Sequence, residues 1–245
     1  MECVAAPSPN FDDRPANTPV DILLMHYTGM ETGAAAMARL TDPEARVSSH
    51  YTVDEDGTVY AHVPEHKRAW HAGVSYWAGA RDINARSIGI EIVNPGHEFG
   101  YRSFPDAQIE AVISLSVEIL SRHAVPPERV IGHSDVAPAR KTDPGELFPW
   151  RKLALLGVGL WPENGELRPE KVQFRPENRQ GRLDIPFTDG LRAFGYGLAP
   201  DMDVADAKVI EAFQRHWRPA RIDGIADAEC EAILAALLRA IDFAR

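Results

Sequence analysis

The sequence predicts an α/β protein: a mixed central β-sheet flanked by helices, followed by a small C-terminal domain of three helices. Three observations carry that expectation. Strand-length aliphatic runs alternate with helix-length amphipathic segments over residues 18–157. Two of those strands run into a histidine, Met25-His26 and Gly132-His133, at the carboxyl ends where open α/β sheets place their chemistry. From residue 183 onward apolar positions recur three and four apart, the spacing of helices that bury one face. The division that follows is 1–160 for the α/β domain with an N-terminal arm, 161–182 for a linker, and 183–245 for the helical domain.

Taken in order, residues 1–19 hold four prolines and little apolar pattern, so they read as an extended arm. Val20-Asp21-Ile22-Leu23-Leu24-Met25 is a buried strand, bounded by Thr18-Pro19 and by Thr28-Gly29. The Ala-rich stretch 33–40 is helical and stops at Thr41-Asp42-Pro43. His50-Tyr51-Thr52-Val53-Asp54 alternates as a strand, Asp56-Gly57 is a hairpin signal, and Thr58-Val59-Tyr60-Ala61-His62-Val63 is the return. Residues 64–86 carry Trp70, His71, Gly73, Trp77 and Gly79 with no clean period and read as a long functional loop. Ser87-Ile88-Gly89-Ile90-Glu91-Ile92-Val93-Asn94 is the next strand. Pro105 opens a helix over 105–122, in which Ile109, Val112, Ile113, Leu115, Ser116 and Ile119 keep helical spacing. A short strand at 130–132 and a short helix at 150–156 follow. Residues 162–182 are polar, with three prolines, and read as a linker. Beyond them, Val209, Ile210, Phe213 and Trp217 share a helix face. Asp227 caps a last helix striped by Ile233, Leu234, Leu237, Leu238 and Ile241.

Composition narrows the function. Hydrophobic residues are 44% and charged residues 25% of 245, ordinary for a globular chain. A net charge of −10 argues against a nucleic-acid partner, which calls for a basic surface. No long apolar run and no basic amphipathic helix points to a membrane. Cys3 and Cys230 lie near opposite ends; they could pair, and a reduced intracellular protein fits at least as well. No basic segment followed by an apolar one opens the chain, so the expected compartment is the cytoplasm; a chain trimmed of its leader would be periplasmic.

The two histidine strands and Asp143, ten residues after His133, form a candidate metal set. Catalytic zinc takes three protein ligands from imidazole and carboxylate and leaves a fourth position for water. Such a site needs a carboxylate base and a cation facing the developing oxyanion. Glu91 sits between isoleucines, where an acid needs a reason, and Lys141 lies two residues before Asp143. The bland readings stay open on spacing alone. Strand-end histidines are more often structural than ligands, Glu91 could face solvent, and Lys141 could be a surface lysine. His50, His62, His66 and His71 crowd one region and could form a rival site. No His-Glu-x-x-His helix occurs.

At these residues the sequence resembles the zinc-dependent N-acetylmuramoyl-L-alanine amidases of the type-2 amidase family. The resemblance spans about residues 18–157. It is carried by Met25-His26-Tyr27-Thr28, Val47-Ser48-Ser49-His50-Tyr51, Arg68-Ala69-Trp70-His71-Ala72-Gly73-Val74-Ser75, Asn84 and Ser87-Ile88-Gly89-Ile90-Glu91. It continues through Gly132-His133-Ser134-Asp135-Val136-Ala137-Pro138, Arg140-Lys141, Asp143-Pro144-Gly145 and Phe148-Pro149-Trp150. The resemblance implies Zn2+ on His26, His133 and Asp143, with Glu91 and Lys141 catalytic. The implied reaction is hydrolysis of the amide joining N-acetylmuramic acid, or its anhydro form, to the L-alanine of a stem peptide. Peptidoglycan fragments are then the partners, and Trp70, His71, Ala72, His50 and Asn94 are expected around the substrate cleft.

The stretch Val209-Ile210-Glu211-Ala212-Phe213-Gln214-Arg215-His216-Trp217 with Arg221-Ile222-Asp223-Gly224 resembles a peptidoglycan-binding helical domain; a prop packed on the amidase domain is the other reading. Three functions compete: an amidase of muropeptides, a non-catalytic peptidoglycan-recognition module on the same fold, and a general zinc peptidase. Zinc content and amide hydrolysis separate the first two. Dependence on muramic acid separates the third. A cytoplasmic enzyme would recycle soluble muropeptides and an exported one would trim the wall.

Overall fold

The structure is a computed structural model that describes residues 2–163, 166–167, 183–197 and 206–243. The N-terminal arm supplies β1 (Val4–Ala5) and β2 (Phe11–Asp13), and the first histidine strand is β3 (Ile22–Tyr27). Helix α1 (Gly33–Thr41), strands β4 (Tyr51–Val53), β5 (Val59–Ala61) and β6 (Lys67–Ala69), and helix α2 (Ile83–Arg86) lead to β7 (Ser87–Ile92). After α3 (Gly96–Phe99) come the long helix α4 (Asp106–Arg122), β8 (Val130–Gly132), the single turn α5 (His133–Val136) and α6 (Trp150–Leu155). Strands β9 (Pro162–Glu163) and β10 (Glu166–Leu167) precede helices α7 (Phe187–Phe194), α8 (Asp206–Trp217) and α9 (Ala228–Phe243).

The main sheet has the order β1-β5-β4-β7-β3-β8. Only β4 and β5 pair antiparallel, across the Asp56-Gly57 turn; the other neighbours are parallel, so the sheet is mixed. The central strands read as unbroken aliphatic runs because both faces of the sheet are covered. Leu23 and Met25 of β3 join Ile88, Ile90 and Ile92 of β7 and Val130 of β8 beneath Ile109, Val112, Leu115 and Ile119 of α4. Ile22 and Leu24, with Ile131, face the opposite way. There they meet Trp77, Phe194, Tyr196, Val209, Phe213 and Leu234 in one continuous apolar cluster. Removing the C-terminal helices would bare that face, at about 1.5–3 kcal/mol for each large aliphatic side chain exposed.

Period-two alternation then sets the chemistry. His26 continues the series Ile22, Leu24 and lies on the face covered by the C-terminal helices. Its parallel register partner is Glu91, so both side chains leave the sheet on the same side. Where β7 gives isoleucines to α4, it gives Ser87, Gly89 and Glu91 to the other face.

Three segments differ from their sequence reading. The arm at 1–19 is not merely extended: β1 is the parallel edge strand beside β5, and β2 pairs antiparallel with β6. Two- and three-residue edge strands have no period of their own and depend on a partner for their backbone hydrogen bonds. The 64–86 loop likewise contains β6 and α2. At the start of the linker, β9 and β10 form a small antiparallel hairpin, while residues 168–182 lie outside the described residues. Asp227 does cap α9, its carboxylate accepting the Cys230 N–H at 3.0 Å. Cys3 and Cys230 are both free thiols. Among the described residues no helix is long and apolar enough to cross a membrane.

Candidate metal centre

His26 is the next-to-last residue of β3, His133 opens the turn after β8, and Asp143 comes from the loop beyond it. The three buried side chains converge. Nδ1 of His26 lies 2.9 Å from Nδ1 of His133, and Oδ2 of Asp143 lies 3.1 Å from each. Gly132 makes the approach of the loop possible: a Cβ there would meet Cδ of Pro144 at 2.7 Å.

The outer ring nitrogens fix where the protons are. Nε2 of His133 faces the Ala72 carbonyl at 3.0 Å, so it carries the proton and Nδ1 is bare. The Ser87 hydroxyl donates to the Ile83 carbonyl at 2.7 Å and so accepts from Nε2 of His71 at 3.2 Å. That leaves Nδ1 of His71 to accept from Nε2–H of His26 at 3.0 Å, and Nδ1 of His26 is bare as well. Two lone pairs and a carboxylate oxygen therefore face one another with no proton between them, an arrangement that a cation stabilises. Burial and then the facing His133 push His26 down to about 4, which keeps its ring neutral, as a metal ligand requires. The donor set and spacing fit a metal held by two imidazoles and a carboxylate.

Glu91 stands beside this triangle. Its Oε2 is shut off from solvent and has no hydrogen-bond partner among the described residues. Burial, reinforced by Asp143, holds its carboxyl well above the usual carboxylate range, while the nearby Lys141 pulls it back. Lys141 lines a cleft of ≈ 270 Å³ with Tyr27, His97, Arg140, Thr142 and Asp143. At its rim the Tyr27 hydroxyl meets Nδ1 of His97 at 3.0 Å and the Thr142 hydroxyl at 2.9 Å.

Of the residues expected around the substrate, His71 and Ala72 lie directly behind the ligand histidines, and His50 and Asn94 are taken up by other backbone. His71 is buried between His26 and Ser87, in space that Gly89 provides: a Cβ at Gly89 would meet the His71 ring at 2.6 Å. Ala72 is buried, giving its carbonyl to His133 and its N–H to Asn84 Oδ1 at 2.8 Å. His50 accepts the Gly89 N–H on Nδ1 at 3.0 Å and donates from Nε2 to the Lys67 carbonyl at 3.1 Å. Asn94 ties its own loop, donating to the Arg102 carbonyl and accepting from Gly96 N–H. Trp70 is half-buried, with the Arg46 guanidinium 5.9 Å over its ring. The rival set does not gather: among the described residues His26, His133 and Asp143 are the group that could hold a metal.

Sequence reasoning passed over Ser87, Asn84 and Arg140 as supports. Arg140 donates to the Val74 carbonyl at 2.9 Å and also to the Ala72 carbonyl, pinning the loop that holds His133. An asparagine, a serine and an arginine inside recurrent motif segments were the available signal.

Comparison with known proteins agrees with this geometry. A family model described as N-acetylmuramoyl-L-alanine amidase, Amidase_2, matches residues 16–146. The N-acetylmuramoyl-L-alanine amidase AmiD of Escherichia coli K12 is 39% identical over 235 residues, covering 89% of this chain and 82% of the relative. The 1,6-anhydro-N-acetylmuramyl-L-alanine amidase AmpD of Enterobacter cloacae is 33% identical, covering 60% of this chain and 85% of its own. The solved E. coli AmiD complex with anhydro-N-acetylmuramic acid-L-Ala-D-gamma-Glu-L-Lys superposes with a TM-score of 0.76 at 38% identity, over 92% of this chain and 91% of that one. AmpDh3 of Pseudomonas aeruginosa in complex with anhydromuramic pentapeptide gives 0.77 at 32% identity, over 93% and 95%. The His26-His133-Asp143 triangle, the Glu91 carboxyl beside it and these matches together place the chain in the Amidase_2 family of N-acetylmuramoyl-L-alanine amidases.

Proposed function

We propose that this amidase uses zinc to hydrolyse the bond between N-acetylmuramic acid, in its anhydro form, and the L-alanine of soluble muropeptides, in peptidoglycan recycling. The observation that carries the reading is the triangle of bare donor atoms beside Glu91, whose Oε2 is shut off from solvent and unpartnered among the described residues. Relatives solved with anhydromuramic peptides support the substrate class.

His26, His133 and Asp143 would hold the ion. Bound there, zinc supplies Lewis acidity, easing the ionisation of water and polarising the scissile carbonyl. Glu91 takes the proton of the attacking water and delivers it to the alanine nitrogen as the carbon–nitrogen bond breaks. The Lys141 ammonium meets the negative charge that gathers on the carbonyl oxygen. His71 with Ser87, and the Ala72 carbonyl, keep the two imidazoles in the tautomer that exposes Nδ1. Of the five expected cleft residues Trp70 is the one that keeps a partly open side chain, while His50, Ala72 and Asn94 act through the loops they hold.

Mass spectrometry of products tests the reading. Soluble anhydro-muropeptide should yield the free peptide with an N-terminal alanine. Glu91→Ala should keep its zinc and turn over about 10²–10⁴-fold more slowly. Undiminished turnover would remove Glu91 from the reaction. Intact sacculi form the second arm, because the helical tail resembles a wall-binding module. Release from sacculi rather than from soluble fragments would make the enzyme a wall trimmer. A cytoplasmic setting goes with the first outcome and a periplasmic one with the second, and cell fractionation distinguishes them.

A further inference from the structure

The turn α5 carries one proposed ligand and anchors another. His133 is its first residue, and the Ser134 N–H donates to the Asp143 carbonyl at 2.9 Å. Between them and the C-terminal helices stands Asp135, which has no exposed surface. Its Oδ2 accepts the Gly132 N–H at 2.7 Å, closing the turn at its start. The rest of its bonding comes from the tail. Oδ1 accepts the Tyr196 hydroxyl at 2.6 Å, and Oδ2 also accepts Nδ1–H of His216 at 2.6 Å.

Both donors are themselves fixed. The Tyr196 hydroxyl accepts the Trp217 indole N–H at 3.2 Å, and its ring packs on Trp77 at 4.9 Å between centroids. His216 is stacked between Trp150 at 3.9 Å and Trp217 at 3.8 Å, within 19° and 4° of parallel. A prop that only covered apolar surface would need none of these polar contacts. A buried carboxylate with two side-chain donors from another part of the chain is costly to leave unpaired and rigid once paired.

We infer that Tyr196 and His216 are positioning residues of the metal centre, acting on His133 and Asp143 through Asp135. The helical tail is then a working part of the amidase site. The inference rests on the metal reading above.

The test measures zinc dissociation constants by competition with a chromophoric chelator, together with the ligand-field spectrum of the cobalt-substituted protein. The variants are Tyr196→Phe, His216→Gln and their combination, in the full chain. Leu237→Ala is the comparison, because it opens the shared apolar cluster from α9 and leaves the hydrogen bonds of Asp135 in place. The double variant should bind zinc about tenfold more weakly and change the cobalt spectrum. Leu237→Ala should lower Tm and leave zinc affinity at the parent value. Tyr196→Phe keeps the ring and carries the test, in the same direction, if the double variant does not fold. Zinc affinity within about twofold of the parent in a folded Asp135-contact variant would overturn the inference. So would a Leu237→Ala protein that loses zinc as readily as the double variant, since the tail would then be a general prop. A parent protein that takes up no zinc would overturn the metal reading as well; equal affinity in parent and variants would overturn the positioning role alone.

Discussion

His26 and His133 each give one ring nitrogen to the protein and leave the other facing a bare neighbour; His50 and His62 give both. In the second pair, His50 is satisfied by Gly89 and Lys67. His62 donates to the Ala6 carbonyl at 2.7 Å and accepts from the Thr52 hydroxyl at 2.8 Å. His71 stands between the two groups, saturated itself yet fixing the tautomer of His26. All these rings are buried, so burial does not separate ligand from scaffold. What separates them is an unused acceptor aimed at other unused acceptors.

That contrast can be broken in order of expected effect. His26→Ala should abolish zinc binding, read by elemental analysis of the purified protein, because two remaining ligands hold zinc poorly. His71→Ala should keep all three ligands and still weaken zinc by about 10–100-fold, read by chelator competition, because His26 loses the partner that sets its tautomer. His62→Asn should leave zinc affinity unchanged and cost about 1 kcal/mol of unfolding free energy, read by urea denaturation, since only structural hydrogen bonds change. Loss of zinc from the His62 variant would erase the distinction.

The smallest effect concerns a histidine–carboxylate contact that is no metal site. Glu65 accepts from Arg122, from the Tyr51 hydroxyl and from His123, beside a hollow of ≈ 490 Å³ that His66 also lines. Burial works to raise its carboxyl, but these donors outweigh it and hold it at about 2, below the ordinary 4.5. A depressed carboxylate stabilises the fold above its unfolded pKa and ceases to do so as protons fill it. The Tm advantage over Glu65→Gln should therefore be full above pH about 5 and shrink as pH falls toward about 2. An advantage that grew on acidification would contradict the assignment.

Much of this was legible in the chain. Ile22-Leu23-Leu24-Met25 reads as a strand because α4 covers one face and the tail the other. The acid in Ile90-Glu91-Ile92 stands out because period-two alternation sends it to the face His26 occupies. Other parts were hidden for physical reasons. The strands β1 and β2 are too short for a period and exist by pairing with β5 and β6. His71 reads as a cleft residue among its tryptophans, and only the room left by Gly89 shows that it turns inward. Asp135 reads like any acid in a loop; its donors lie 61 and 81 residues away, beyond the reach of local pattern.

Anomalous diffraction at the zinc edge from crystals of the full chain is the most direct trial of the central claim. The expected result is a single strong peak bonded to Nδ1 of His26, Nδ1 of His133 and Oδ2 of Asp143 at about 2.0–2.2 Å. A zinc-loaded protein with no peak among those three atoms, or with its peak at His50, His62 or His71, would contradict it.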